Sequence, residues 1–435
     1  MIKSFYISTA ISYTNGSPHI GHAYEVIAAD AIARFKRLDG FDVFFLTGTD
    51  EHGLKVQQKA NELNLEPKKY VDNVSKEFVD LTKILNCSND DFIRTTENRH
   101  LVNVHKMWDI LLKNGDIYLD EYSGWYSIRD EAFYNEDELT KDEQDNFLSP
   151  AGSPVEWISE ESYFFRLSKY EKQLLEIYKE NKDFIKPKSR MNEITNFVSS
   201  GLKDISISRK SIKWGIPVKD NNEHFIYVWL DALINYISAL GWHEGNEKFK
   251  NFWPADIHLI GKDITRFHSV YWPAFLIAAG LEIPKTIFSH GFLLNKGEKI
   301  SKSLGNTINP IELTKHYGVD QLRFYLLSST PFGNDGNYSH ELITNHVNAN
   351  LSNDLGNLSQ RCLKMIMDKC DSKIPNIGTL TDEDLDLIKN SSKLYESCLG
   401  SMDNYLIHEY INSVFNLVSS TNKYFSNEEP WELSK

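Results

Sequence analysis

Three observations in the amino-acid sequence predict an α/β fold in which a parallel sheet is split by an insertion and followed by helices. A strand–helix–strand pattern opens the chain, strand and helix signals return after residue 222, and the pattern is helical from about residue 338. Residues 3–10 read as a strand. Residues 20–38 read as a helix, because Ile20, Ala23, Tyr24, Ile27, Ala31, Phe35 and Leu38 recur at three- and four-residue spacing on one buried stripe. Asp39-Gly40 ends that helix. Phe41 to Leu46 is a short apolar run expected to be a buried strand, ending at Thr47-Gly48-Thr49-Asp50-Glu51-His52-Gly53. Open α/β sheets bind ligands at such strand ends.

Helical patterns continue to residue 115, and residues 116–222 then differ, with many aromatics, short extended runs and swings of charge. Ile257-His258-Leu259-Ile260 reads as a strand, 264–280 as an apolar helix and 286–294 as a further strand. The fold class is therefore a Rossmann-like doubly wound parallel sheet split by a connective insertion, then an α-helical domain. The expected divisions are 1–115, 116–222, 223–337 and 338–435.

A chain of 435 residues exceeds one typical core, so two or three domains are expected. No apolar run is long enough to span a bilayer, and Met1-Ile2-Lys3-Ser4 leads straight into a strand without a signal-peptide pattern. Cys87, Cys362, Cys370 and Cys398 form no CxxC pair, which points to a reducing cytoplasm. The net charge of −14 argues against indiscriminate nucleic-acid binding, and neither DNA nor a membrane is expected as a partner. The charge is uneven. Residues 130–147 hold eight acids against Lys141, and residues 166–213 hold twelve Lys and Arg against six acids. An acidic loop and a solvated helix face account for both segments.

His19-Ile20-Gly21-His22 carries the first chemical signal. It stands at a helix start, after the turn residues Thr14-Asn15-Gly16-Ser17-Pro18, where orphan amides and the helix dipole attract anions. A lone histidine is more often structural. Far downstream, Lys299-Ile300-Ser301-Lys302-Ser303 lies in a glycine-punctuated loop after the apolar run Ile287-Phe288-Ser289-His290. Alone it reads as a solvated basic loop. Both together, in this order and each beside a strand, match the nucleotide site of class I aminoacyl-tRNA synthetases.

Across its length the sequence resembles the methionyl-tRNA synthetase family. The matching pieces are Ala10 to Gly16, His19 to His22, Gly48 to Gly53, Ser208-Arg209, Trp214 to Val218, Tyr227 to Ala232, Gly261 to Ile264, Phe267-His268 and Lys299 to Ser303. The resemblance implies a ligase that joins L-methionine to ATP, releases pyrophosphate and transfers the methionyl group to the 3′ end of tRNA(Met). A substrate carboxylate attacks in the first step, so no protein nucleophile or base is needed, and catalysis is positioning with charge stabilisation. His19, His22, Lys299 and Lys302 suit that work, with Mg²⁺ accompanying ATP and no metal ligand assigned on the chain.

By the family pattern, Gly21 admits the adenosine, Glu25 lies near the base and Asp263, beside Gly261, near the ribose. Methionine needs one acid and an apolar, aromatic wall. Asp50 matches the acid. Ala10, Ile11, Tyr13, Trp229, Ala232, Tyr236 and His290 match the wall, although the spacing of Trp229, Ala232 and Tyr236 is also that of a core stripe. Leu233 stands where proline is common in the family.

Many family members bind zinc in the insertion through cysteine pairs. Residues 116–222 contain no cysteine, so no zinc is expected. The insertion is also too short for the editing domain of the leucine, isoleucine and valine enzymes. In the helical tail, Asn357, Arg361 and Trp431 match the family's anticodon readers, whereas Trp431 after Pro430 read alone is a helix-start anchor. Family members usually continue through further helices, so the helical domain is expected to be incomplete at Lys435. Two other readings remain at this point: another class I enzyme acting at the ATP α-phosphate, such as a different synthetase or a nucleotidylyltransferase, and a non-catalytic RNA-binding paralogue.

Overall fold

The computed structural model describes residues 3–130, 132–134, 136–142, 144–295, 297–300 and 307–433. It divides into two compact units. One comprises Met1–Pro18, Lys36–Lys83 and Ser88–Ser289, the other His19–Phe35, Ile84–Cys87 and His290–Lys435.

The first unit is built on a parallel sheet. Its strands β1 (Ser4–Thr9), β2 (Ser12–Tyr13), β3 (Asp42–Asp50) and β4 (Asp91–Arg94) are joined by Ile257–Gly261, Ile287–His290 and Ile185–Lys186. The order is Ile185–Lys186, Ile287–His290, Ile257–Gly261, β1, β3, β2, with β4 also on β3. β1, β3 and Ile257–Gly261 are buried almost end to end, which explains why they read as continuous apolar runs rather than alternating ones. β3 outlasts the expected Phe41–Leu46 because Thr47 to Asp50 stay paired, with β4 as far as Thr49 and with β2 at Thr49 and Asp50.

Register shows where the first strand changes course. Ser8 lies opposite Leu46, and Ser12 lies opposite Thr49. Four steps along one strand therefore match three along β3, a bulge over Thr9, Ala10 and Ile11 that re-aims side chains at the strand end. The Ala10 amide keeps to the other neighbour of β1, donating to the Leu259 carbonyl at 3.1 Å.

The insertion is antiparallel. Ile117–Ser127 pairs with Glu156–Phe165 from Ile117 opposite Phe165 to Tyr126 opposite Glu156, and Ala132–Tyr134 adds a third strand. Its acidic segment is tied by the Asp130 carboxylate, which accepts from the hydroxyls of Ser149, Ser153 and Tyr134. The basic segment carries two helices, Glu171–Glu180 and Lys188–Ser199, whose buried faces include Leu174, Tyr178, Ile194 and Val198.

The helix α1 (Ile20–Leu38), in the second unit as far as Phe35, has the expected bounds but not the expected single stripe. Val26, Ala28, Ala29, Ile32 and Ala33 are buried as well, and Leu38 is 88% exposed. The alanines let the helix be covered on nearly every side, and the apolar face ends a turn early. Asp30, fully buried, accepts from Arg34 at 2.7 Å and Arg323 at 2.5 Å. The tail is helical as expected, with long helices Asn357–Lys369, Asp382–Asp403 and Ile407–Asn427.

Two elements differ from expectation. The helix expected over 264–280 includes a wide turn at Phe267–Tyr271 before the α-helix Trp272–Ala278. The strand expected over 286–294 breaks into Ile287–His290 and Leu293–Asn295, and at the break Gly291 lies against the Asn334 carbonyl.

Gly48 is fixed by its neighbour in the same way. A Cβ there would stand 2.1 Å from the Ile93 carbonyl oxygen on β4. Gly48→Ala should therefore lower the midpoint of chemical unfolding, by about 1–3 kcal/mol in stability, whereas Gly400→Ala, with nothing near its Cβ, should leave the midpoint unchanged or raise it.

Candidate active site

In the first unit, three consecutive polar residues at the end of β3, Asp50, Glu51 and His52, go three ways. The Asp50 carbonyl accepts from the Thr14 amide at 2.9 Å and the Thr14 hydroxyl at 3.0 Å, fastening β3 to the segment after β2. Glu51, fully buried, takes a two-point contact from Arg94 at 2.6 and 3.0 Å and further bonds from Thr49 and Thr96. His52 turns to Asp231, with Nδ1 2.6 Å from Oδ2. The other Asp231 oxygen lies 2.7 Å from Nε2 of buried His100. Trp214 closes the segment, donating from Nε1 to the Glu51 carbonyl and accepting the Gly53 amide on its own carbonyl.

Asp231 sits on the short helix Val228–Leu233, which also carries Trp229 and Ala232. The carboxylate bridge thus joins the strand end bearing Asp50 to the helix bearing two expected pocket residues. Burial alone would push the Asp231 carboxyl up, but the electrostatic pull of His52 and the hydrogen bonds from both imidazoles outweigh it and hold it at about 2.

A second buried network surrounds Tyr236. Its hydroxyl is 2.7 Å from His268 Nε2, and His268 Nδ1 is 3.0 Å from the Ile264 carbonyl. A carbonyl only accepts, so the His268 proton is on Nδ1 and Tyr236 donates to Nε2. His258 stacks on Tyr236 with centroids 3.9 Å apart, accepts from Trp272 at Nε2 and meets the Ser8 hydroxyl at Nδ1, 2.7 Å away. Both imidazoles are neutral at pH 7. Burial pushes His268 down to about 4, against the hydrogen bond to Ile264, and it pushes His258, with His268 close by, well below the usual range. Trp229 lies flat on Phe267 with centroids 3.7 Å apart. Ala10 and Ile11 occupy the bulge, and Tyr13 follows with Lys55 over its ring.

At the end of Ile257–Gly261, a Cβ on Gly261 would stand 2.9 Å from Asp263 Oδ1, so glycine lets that carboxylate fold back onto the strand end.

The second unit holds the histidine pair. The rings of His19 and His22 stack with centroids 3.9 Å apart. The Gly21 amide donates to His19 Nδ1 at 3.1 Å, and the His19 amide donates to His22 Nδ1 at 3.0 Å. A nitrogen that accepts from an amide carries no proton, so each neutral ring bears its N–H on Nε2. The helix-start amides, expected to face an anion, are taken: Ile20 donates to the Ile308 carbonyl and His22 to the His19 carbonyl. A Cβ on Gly21 would lie 2.9 Å from the His19 ring, so glycine is what lets the ring fold over the helix start.

Glu25 and His290, expected at different substrates, are brought together at 2.9 Å, and His290 Nδ1 is 2.8 Å from the Gly291 carbonyl. Lys299 ends the strand Glu298–Lys299, opposite Leu294. Lys302 lies outside the described residues. In the tail, the Arg361 guanidinium lies 5.6 Å from the Trp431 ring, and Asn357 is one turn before Arg361 on the same helix.

A family model described as class I tRNA synthetases (M) matches residues 5–363. A methionine--tRNA ligase of Brucella suis is 51% identical over 433 residues, covering 100% of this chain and 84% of that protein. The chain belongs to the class I methionyl-tRNA synthetase family. A methionine--tRNA ligase of Rickettsia conorii is likewise 51% identical over 438 residues, covering 85% of its own length. Among solved structures, Mycobacterium tuberculosis methionyl-tRNA synthetase in complex with methionyl-adenylate matches with a TM-score of 0.97 and 49% identity, over 100% of this chain and 86% of that one.

Sequence reasoning passed over His52, His100, His258 and Asp231 as chemical groups. The available signal was a charged or imidazole side chain inside an apolar run, as in Tyr227-Val228-Trp229-Leu230-Asp231-Ala232.

A carboxyl held low in the folded state adds stability that is present above its unfolded value near 4 and is lost as pH falls toward the folded value. The stability advantage of the wild type over Asp231→Asn, measured by urea unfolding at pH 5, 4 and 3, should therefore shrink at each step. His268 should stay neutral with its proton on Nδ1 down to about pH 5, read from its ring ¹⁵N shifts.

Proposed function

We infer that this protein is a methionine-tRNA ligase, which activates L-methionine with ATP to methionyl-adenylate and pyrophosphate and then transfers methionine to tRNA. One observation carries this: near-complete superposition, at 49% identity, on a family structure holding methionyl-adenylate. The methionine carboxylate attacks the ATP α-phosphorus, and the bond to pyrophosphate breaks. A hydroxyl of the tRNA terminal ribose then attacks the activated carbonyl, and AMP leaves.

For the residues, we propose that Asp50 holds the methionine ammonium. Ala10, Ile11, Tyr13, Trp229, Ala232 and Tyr236 would form the side-chain wall. The neutral network behind Tyr236 supports that role, because it offers a thioether polarizable rings and no competing charge. We propose His19, His22, Lys299 and Lys302 as donors to the phosphates, with Gly21, Glu25, Gly261 and Asp263 toward the nucleoside. We propose His290 for the side-chain wall as well, its ring held by the bond to Glu25. These phosphate-side groups are hydrogen-bond donors and cations, not metal ligands. Mg²⁺ would therefore ride on the ATP oxygens, where it shares the phosphate charge.

We propose tRNA(Met) as the RNA partner, read through Asn357, Arg361 and Trp431, and a cytoplasmic location. Among the described residues no helix is long and apolar enough to cross a membrane. We also propose divisions at 115, 222 and 337.

ATP–pyrophosphate exchange should depend on methionine and on no other proteinogenic amino acid. Exchange driven by another amino acid, or none at all, would overturn the assignment. Lys302→Ala should slow exchange by about 10²–10³ with little change in methionine KM, as for loss of one donor to developing charge.

A further inference from the structure

We propose that Phe425 is a positioning residue for tRNA recognition: its ring, facing Trp431, holds the Arg361 guanidinium ready for an unpaired anticodon base. The proposal rests on reading Asn357, Arg361 and Trp431 as anticodon contacts.

The Arg361 guanidinium carbon lies 4.7 Å from the Phe425 ring centroid and 5.6 Å from that of Trp431. The two rings are 6.0 Å apart and inclined at 46°. The cation therefore sits against two π faces, an attraction that fixes its plane without neutralising it. Its polar partner is Ser426, whose Oγ accepts from Nη1 and Nη2 at 3.3 Å each. That hydroxyl gives its own proton to the Asn422 carbonyl at 2.9 Å, which leaves its lone pairs for the guanidinium.

Among the described residues Arg361 has no carboxylate at ion-pair distance, so its charge is uncompensated and most of its five N–H donors stay uncommitted to acids. An arginine serving only the fold would be expected to meet an acid, as Arg323 meets Asp30 and Arg94 meets Glu51.

The supporting helices are held in step. Asp354, just before the Asn357–Lys369 helix, accepts from Ser419 at 2.6 Å and Asn422 at 2.8 Å on the helix that carries Phe425 and Ser426. Asn357 and Arg361 are four residues apart and so share a face. A base stacked on Trp431 would meet a guanidinium whose rotamer is already chosen, which lowers the ordering cost of recognition.

The test is steady-state charging with a tRNA(Met) transcript and with one whose first anticodon base is changed, using the full chain. Phe425→Ala should raise the KM for the unaltered tRNA about threefold to tenfold, the range of an exposed to partly desolvated cation–π contact. Phe425→Tyr should restore it. On the altered transcript Phe425→Ala should cost less than about twofold, because the contact it supports is already lost. Arg361→Ala should weaken charging of the unaltered tRNA at least as much as Phe425→Ala. Wild-type behaviour of Phe425→Ala beside a weakened Arg361→Ala would overturn the proposal and leave the anticodon reading standing, as would an equal loss on both transcripts. An Arg361→Ala enzyme that charges like wild type would overturn the anticodon reading itself.

Discussion

The Asp231 carboxylate is the constraint on which the strand end and short helix of the proposed methionine site depend. It lies fully buried between His52 and His100, and its two oxygens are each within 2.7 Å of an imidazole. These three residues come from the end of a sheet strand, a long helix and a short helix well separated in the chain. An isolated carboxylate at that depth would be costly, and two imidazoles aimed at it offset the cost only in this one geometry. The same geometry fixes the end of β3, where Asp50 stands, relative to the helix that carries Trp229 and Ala232. Glu51 does the matching work on the other side through Arg94. Asp50 is thus set by the two residues that follow it, Glu51 and His52, each bonded in its own direction.

A contrast in protonation runs through the imidazoles. His258 and His268, around Tyr236, are kept neutral by burial, and their protons are assigned by carbonyl and indole partners. His19 and His22 accept backbone amides at Nδ1 and so present N–H from Nε2. The first pair shapes an uncharged surface suited to a thioether. The second fits its proposed role as donors to phosphates, where charge develops on the departing pyrophosphate. One side-chain type takes two protonation patterns because the partner of its other ring nitrogen differs.

Much of this was legible in the sequence. Helix 20–38 was readable because its spacing is regular and Asp39-Gly40 ends it. The strands before and after the insertion were readable because central parallel strands are apolar throughout. The depth of burial of α1 was not, because alanine counts weakly in any apolar stripe yet decides how closely other chain can pack. The bulge at Ala10 and Ile11 depends on a pairing register with Leu46 and Thr49, which no local pattern encodes. For the same reason Asp231, His52 and His100 were invisible as a group: their contact spans up to 179 positions. The break at Gly291 coincides with the approach of Asn334, again a long-range contact. Motif matching named the residues; packing assigned their partners, as for His290 beside Glu25.

His52 and Asp231 are bonded as one unit, and we propose that this unit sets the methionine site. A double-mutant cycle with His52→Gln, Asp231→Asn and the pair, read as methionine KM in ATP–pyrophosphate exchange, tests it most directly. If the two residues act together, either single substitution raises KM and the second adds little once the first is present. Strictly additive effects, or a methionine KM unchanged in both single variants, would contradict the account.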